Sequence, residues 1–318
     1  MDAKVNNTEP RPNRLNAMSH FFLTVGCWII LSVGGAFLAS QLVAWITGTS
    51  AETFMAIAQG EDDLSETGRA ALFAIQFVSA LAGFILAPLL LTKLFRADTA
   101  SYLRTDKRIS GAQGGMAVLL ILASIPVITF LVTWNSSFDY ALLGEAGAAL
   151  QSLSEANEKM LAAMLDSQSM WVVIASFLVL VVIPAIGEEL LFRGILLNQF
   201  YGLFRNKHVA VWASTLIFVL LHVKLTQFVP MMFLSLIFGY MVVYSGSLWT
   251  SITAHFVNNA LYLVHHFAFG DQQSPLSDDY PYPIYAVVLS ALAMVGIWWW
   301  FYRKSARSTE VVFPNHYE

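Results

Sequence analysis

The chain has 318 residues, of which 57% are hydrophobic and only 12% charged, with a net charge of −4 and one cysteine. Soluble domains carry about 25% charged residues, so this surface is not built for water. The lone Cys27 allows neither an intrachain disulfide nor a Cys-rich metal site, and no basic block offers a nucleic-acid surface.

Residues 1–20 are polar and read as a disordered cytoplasmic N-terminus. Eight apolar runs follow, at about 21–46, 70–92, 115–134, 170–200, 208–223, 227–245, 249–269 and 282–302. Runs of about 20 residues span the hydrocarbon core as helices, and they lack the alternation of barrel strands. The expectation is an all-α membrane protein, a bundle of about eight transmembrane helices forming one polytopic domain over 21–303. The first run is too long for a signal-peptide core and lacks a clear cleavage site, so it reads as a retained span. Residues 304–318 form a cytoplasmic tail.

Basic residues set the orientation. With the N-terminus inside, 13 of the 17 Lys and Arg fall in cytoplasmic segments, around Lys4–Arg14, Lys93–Arg108, Arg205–Lys207 and Arg303–Arg307. Arg69, Lys159 and Lys224 fall outside. Both termini are therefore expected in the cytoplasm. Of the two long outer segments, 47–69 carries the acidic stretch "GEDDLSE" and reads as a solvated loop. In 135–169, Leu150, Leu153, Met160, Leu161 and Met164 recur at helical spacing, predicting an amphipathic surface helix that acts as a lid or as a connector. The run "WWWFYRK" at 298–304 reads as an interfacial aromatic belt with a basic anchor.

The fourth run contains "AIGEELLFRGIL", with Glu188, Glu189 and Arg193 at membrane depth. A charge near a bilayer centre costs roughly 2.5–3.5 kcal/mol on insertion scales, so such groups mark function by default. Glu189 and Arg193 are four apart, with the acid N-terminal, which favours an ion pair. Glu188 points roughly 100° away, without that partner. A carboxylate poised between protonation states suits acid–base work, while an ion cluster fixing helix packing and a proton pathway are the other readings.

Three more polar groups stand in later spans: His222 in "FVLLH", and His255 and Asn259 in "HFVNN", four apart on one face. Alone, each is a packing or interhelical hydrogen-bond group. Glu188 lies 17 residues from Arg205 and His222 15 from Lys207, roughly 25 and 22 Å deep. His255, 10 residues past Ser245, comes out at roughly 15 Å, shallower than its partners. Asn258 adjoins the better-spaced Asn259. His20, His208, His265, His266 and His316 lie at interfaces or in the tail and need no catalytic reading.

In order along successive spans, Glu-Glu-x-x-x-Arg, Phe-x-x-x-His and His-x-x-x-Asn resemble the CPBP family, the CAAX-protease and bacteriocin-processing (Abi) intramembrane endopeptidases. "GSLWTSITAHFVNNA" is similar to the family's last motif region, and the motif-bearing core covers about 170–270. The resemblance implies an intramembrane catalytic cavity open to the cytoplasm and the lipid, and hydrolysis of membrane-associated or lipidated peptides. It implies that Glu188 with His222 activates water, that Glu189 and Arg193 support the site, and that His255 and Asn259 stabilise the oxyanion. The expected partners are such a peptide and the lipid bilayer, with no cofactor.

Other readings stand beside this one. Glu188, His222 and His255 could form a His₂Glu zinc set; against it, no His-Glu-x-x-His pair preorganises two ligands and Arg193 adds positive charge nearby. A non-proteolytic scaffold or immunity or signalling modulator would need no turnover. A proton-coupled transporter would use the same charges, although no internal repeat is visible.

Overall fold

A backbone in lipid must satisfy its own hydrogen bonds, so apolar runs of this length become helices. The structure is a computed structural model; it describes residues 14–48, 65–270 and 272–306, and among these there is no strand. Most of the N-terminal tail, the acidic stretch up to residue 64 and the last part of the C-terminal tail lie outside the described residues.

In chain order the helices are α1 (Arg14–Thr47), α2 (Glu66–Leu94), the short α3 (Thr99–Tyr102), α4 (Gly111–Ser136) and α5 (Gly144–Leu165). There follow α6 (Met170–Phe204), α7 (Lys207–His222), α8 (Phe228–Ser245), α9 (Trp249–Phe269) and α10 (Ile284–Ala306). Each of the eight predicted runs lies in one of these helices. Six of them are long and apolar enough to cross a membrane: α1, α2, α4, α6, α8 with the turn before it, and α10. At 16 residues α7 is shorter, and α9 carries His255, Asn258, Asn259, His265 and His266 along its length. The chain is a multi-pass membrane protein. Its outer surface is apolar where lipid would lie: Ile30, Leu38 and Trp45 on α1 and Leu289, Leu292 and Val295 on α10 are exposed.

The core lies on both sides of α8. One cluster joins Leu91, Tyr102 and Leu103 to residues 190–200 of α6 and to Val211, Phe218 and Val219 of α7. The other joins Met116, Leu120 and Ile121 of α4 to Phe238 and Met241 of α8, Ala254 of α9 and Phe301 of α10. Helix α6 also crosses α2 at close range. A Cβ added at Gly187 would lie 2.7 Å from Phe84 Cβ, so only glycine fits there.

The two ends of the bundle are built differently. At one end, the loop between α2 and α4 wraps under the turn between α8 and α9. Leu248 N donates to the Arg104 carbonyl (3.1 Å), Trp249 Nε1 to that of Thr105 (2.9 Å) and Ser247 Oγ to that of Lys107 (2.5 Å). Arg104 is itself buried and reaches Asn198 Oδ1 on α6 through Nη2 (2.6 Å); burial lowers its guanidinium pKa to about 10. At the other end, α5 is held by Arg69, which donates to the carbonyls of Ala163 and Met164. Met160, Leu161 and Met164 of the predicted amphipathic face pack inward, whereas Leu150 and Leu153 are exposed.

The Gly187 contact gives a direct test of the packing. Gly187→Ala should lower thermal stability in detergent by about 1–3 kcal/mol, as overpacking does. Gly115→Ala, whose Cβ would meet nothing within 4 Å, should be neutral or slightly stabilising. Equal effects at the two positions would remove the claim of close approach.

Candidate active site

The middle of α6 is irregular. Two π-helical turns, Phe177–Val182 and Leu190–Leu196, flank the α-helical segment Ile183–Glu189 that ends on the two glutamates. Such bulges frequently mark functional sites, because the extra residue re-aims the side chains that follow. Pro184 sits in this segment and has no N–H to give the Leu180 carbonyl four residues back. That carbonyl instead accepts from Asn259 Nδ2 on α9 (3.2 Å).

Glu189 is fully buried. Its Oε1 accepts from Arg193 Nη1 at 2.8 Å and from His255 Nδ1 at 3.0 Å. Arg193, also buried, continues across the bundle: Nη2 donates to Ser235 Oγ (2.7 Å) and to the Ser235 carbonyl (3.2 Å) on α8. Its guanidinium lies over the Phe218 and Phe238 rings, 4.8 and 5.7 Å from their centroids. Ser235 Oγ donates in turn to Thr215 Oγ1 on α7 (3.1 Å). Neither Ser235 nor Thr215 was singled out from the sequence. A lone serine in the apolar span of α8 was the available signal, since intramembrane hydroxyls pack against polar partners.

Glu188 turns the other way, into a cavity of about 360 Å³ bounded by α4, α6, α7, α8 and α9. Its Oε2 lies 3.8 Å from His222 Nε2 and 3.7 Å from His255 Nε2, too far for direct hydrogen bonds. The partners of the other ring nitrogens define the protons. His222 Nδ1 contacts the Phe218 carbonyl at 2.7 Å, and a carbonyl only accepts, so Nδ1 carries hydrogen. His255 Nδ1 likewise donates to the Glu189 carboxylate. Each ring therefore turns its Nε2 towards Glu188, and a shared proton, a donating water or a cation between them would join the three groups.

The structure brings Glu188, Glu189, Arg193, His222 and His255 together. The shallow depth of His255 is accounted for by the turn between α8 and α9: Ser247 and Leu248 are buried beneath the Arg104–Lys107 loop, so α9 begins inside the protein. Asn258 and Asn259 both line the cavity, and Asn259 Oδ1 accepts from Asn258 Nδ2 (3.2 Å). One Asn259 amide hydrogen is engaged by Leu180; the other is left for the cavity. Among the described residues no three His, Cys, Asp or Glu side chains converge as a metal-binding group. Cys27 lies on α1 with its side chain packed against the α6 and α7 cluster.

Further from the glutamates the cavity is lined by Tyr262, Lys224, Gln227, Leu276 and Asp278, and its lining includes no residue of the Arg104–Lys107 loop or of the turns at 205–206 and 246–248. The mouth thus lies at the end remote from the basic loops. At the basic end the wrapped loop and Arg104 cover the bundle. Leu161 of α5 also lines the cavity, and Glu158 Oε1 accepts from Thr226 Oγ1 (3.2 Å), so α5 borders the mouth rather than merely connecting spans.

Residues 169–261, which contain all six site residues, match the family model of the type II CAAX prenyl endopeptidases, Rce1-like. The site-bearing segment is Rce1-like. This agrees with the resemblance carried by the three motifs, and the match spans less than a third of the chain. The chain is also 31% identical over 87 residues to an uncharacterized protein, YpbD, of Bacillus subtilis (strain 168). That alignment covers 26% of this chain and only 41% of the relative's length. No solved structure matches the chain.

The Asn259–Leu180 contact makes a stability prediction separate from chemistry. Asn259→Ala should lower detergent stability by about 0.6 kcal/mol, the average for an interhelical hydrogen bond in a membrane. Asn259→Asp should be worse, because an ionised carboxylate faces a carbonyl with no hydrogen to give, and Asn258→Ala should be nearly silent. Thermal unfolding of the three variants checks the order; equal losses at 258 and 259 would contradict it.

Proposed function

We propose that the protein is an intramembrane endopeptidase in which Glu188 and His222 activate a water against a peptide bond of a membrane-associated or lipidated substrate. The observation that carries the reading is the position of Glu188 Oε2, 3.7–3.8 Å from two imidazole Nε2 atoms whose Nδ1 hydrogens are committed elsewhere. A water between them can donate to Glu188 and to His222 while its oxygen lone pair faces the substrate carbonyl. Glu188 takes the water's proton as the C–O bond forms and returns it to the amine nitrogen as the C–N bond breaks.

The oxyanion needs donors in a site with little bulk water. His255 can supply Nε2–H only when both ring nitrogens are protonated, because Nδ1–H is held by Glu189. Glu189 therefore accepts from this ring in either state and fixes its direction. Asn259 supplies its free amide hydrogen. Glu189 and Arg193 act through orientation, as positioning groups. No metal is required by this scheme.

Glu188→Gln should abolish peptide cleavage by purified protein while leaving expression and unfolding temperature nearly unchanged, since the amide keeps the shape and removes a costly charge. A scaffold or signalling role would survive this substitution, and a transporter would need a sealed vesicle to show any activity. Asn259→Ala should slow single-turnover cleavage by about 10²–10³ and leave peptide affinity largely intact, as loss of a transition-state donor does. Exhaustive chelation should leave cleavage unchanged; activity lost to chelator and restored specifically by zinc would establish the metalloenzyme instead.

A further inference from the structure

The cavity runs from Glu188 towards the end that holds the α7–α8 turn, and a smaller pocket between α2, α5 and α6 reaches Glu188 from the same half of the bundle. The cavity's rim residues Lys224, Gln227 and Asp278 belong to the α7–α8 turn and the segment after α9, and Gln227 Nε2 donates to Asp278 Oδ2 across the rim (2.9 Å). The same end holds α5, tied in by Glu158 and Arg69. At the opposite end the floor is shut: Arg193 fills the space between Phe218, Phe238 and Ser235, and beyond it the Arg104 loop covers the start of α9.

The two ends also differ in charge. Among the described residues, the mouth-end segments 65–69, 137–169, 223–227 and 272–283 carry eight acidic and three basic side chains. The segments 93–110, 205–207 and 303–305 at the closed end carry two acidic and nine basic. Basic loops stay on the cytoplasmic side, so the closed end faces the cytoplasm. The rim itself carries Lys224 and Asp278, one charge of each sign, and the acid excess of the segments around it raises the local concentration of cations at that end.

We propose that the site is loaded from the extracytoplasmic face, and that its substrates are membrane-anchored peptide segments exposed on that face and carrying net positive charge. Calling them substrates rests on the hydrolytic reading of Glu188; the route of access does not. A prenylated C-terminus in the cytoplasm would meet the closed floor.

The test is thiol accessibility, which needs no turnover and separates this proposal from the protease reading. In a Cys27→Ser background, Asn258→Cys places a thiol on the cavity wall and Lys107→Cys places one at the closed end. Each is exposed to membrane-impermeant trimethylammonioethyl methanethiosulfonate, or to the anionic sulfonatoethyl analogue, in right-side-out and inverted vesicles. Val132→Cys, also on the cavity wall, repeats the measurement should Asn258→Cys fail to fold. Asn258→Cys should react only in right-side-out vesicles and Lys107→Cys only in inverted ones. The cationic reagent should react with Asn258→Cys about 10-fold faster than the anionic one, at the low end of electrostatic steering. Reaction of Asn258→Cys from the Lys107 side, from both sides or from neither overturns the proposed entry. Equal rates for the two reagents overturn the assigned charge of the substrate. Adding Glu188→Gln should leave every labelling pattern as it was, whatever the fate of cleavage.

Discussion

A carboxylate buried at membrane depth must be neutralised where it stands, and Glu189 is such a group. Leaving it unpaired would cost several kcal/mol. Arg193 meets that demand from one turn along α6, but a buried guanidinium has five N–H donors and two faces to satisfy. It takes Ser235 on α8 and lies against Phe218 and Phe238, so one ion pair fixes α6 against α7 and α8. The second demand of Glu189 is met by His255, which brings in α9. Four helices are thereby registered by one acid, and the reactive edge of His255 is aimed at Glu188 as a result.

Adjacent residues of one helix then play opposite parts. Glu189 faces protein on every side and is held; Glu188 faces a cavity and, among the described residues, is held by nothing at hydrogen-bond range. Neighbouring positions of a helix point roughly 100° apart, which alone sends the two acids in different directions, and the π-helical turns on either side set where that segment faces. Pro184 has no N–H to give in the same stretch, and Asn259 donates to the Leu180 carbonyl there. Asn259 thus ties α9 to the irregular stretch of α6.

Much of this was readable in the chain. The spacing of Glu189 and Arg193 is a property of any helix, and the ion pair follows from it. The equal depths of Glu188 and His222 follow from helical rise and from the basic residues that mark the membrane edge. His255 came out too shallow because counting residues from Ser245 assumes that the chain re-enters from water. Here it re-enters under a folded loop, and that loop's contacts, from Arg104, Thr105 and Lys107 to residues 247–249, are long-range. Ser235 gave only a weak signal for the same reason: nothing local distinguishes the serine that meets an arginine 42 positions away from one that bonds its own helix. The direction of the cavity depends on which helices splay, which no single segment encodes.

The dependence of the site on Glu189 is tested most directly by a double-mutant cycle. Glu189→Gln and Arg193→Met, singly and together, would be followed by unfolding free energy in detergent and by peptide cleavage. Each single variant should lose about 3–5 kcal/mol, as broken buried pairs do. The double variant should recover most of that loss, because no uncompensated charge remains. Cleavage should stay absent in the recovered protein, since His255 has lost the carboxylate that orients it. Additive losses in the double variant, or the return of cleavage without Glu189, would contradict the account.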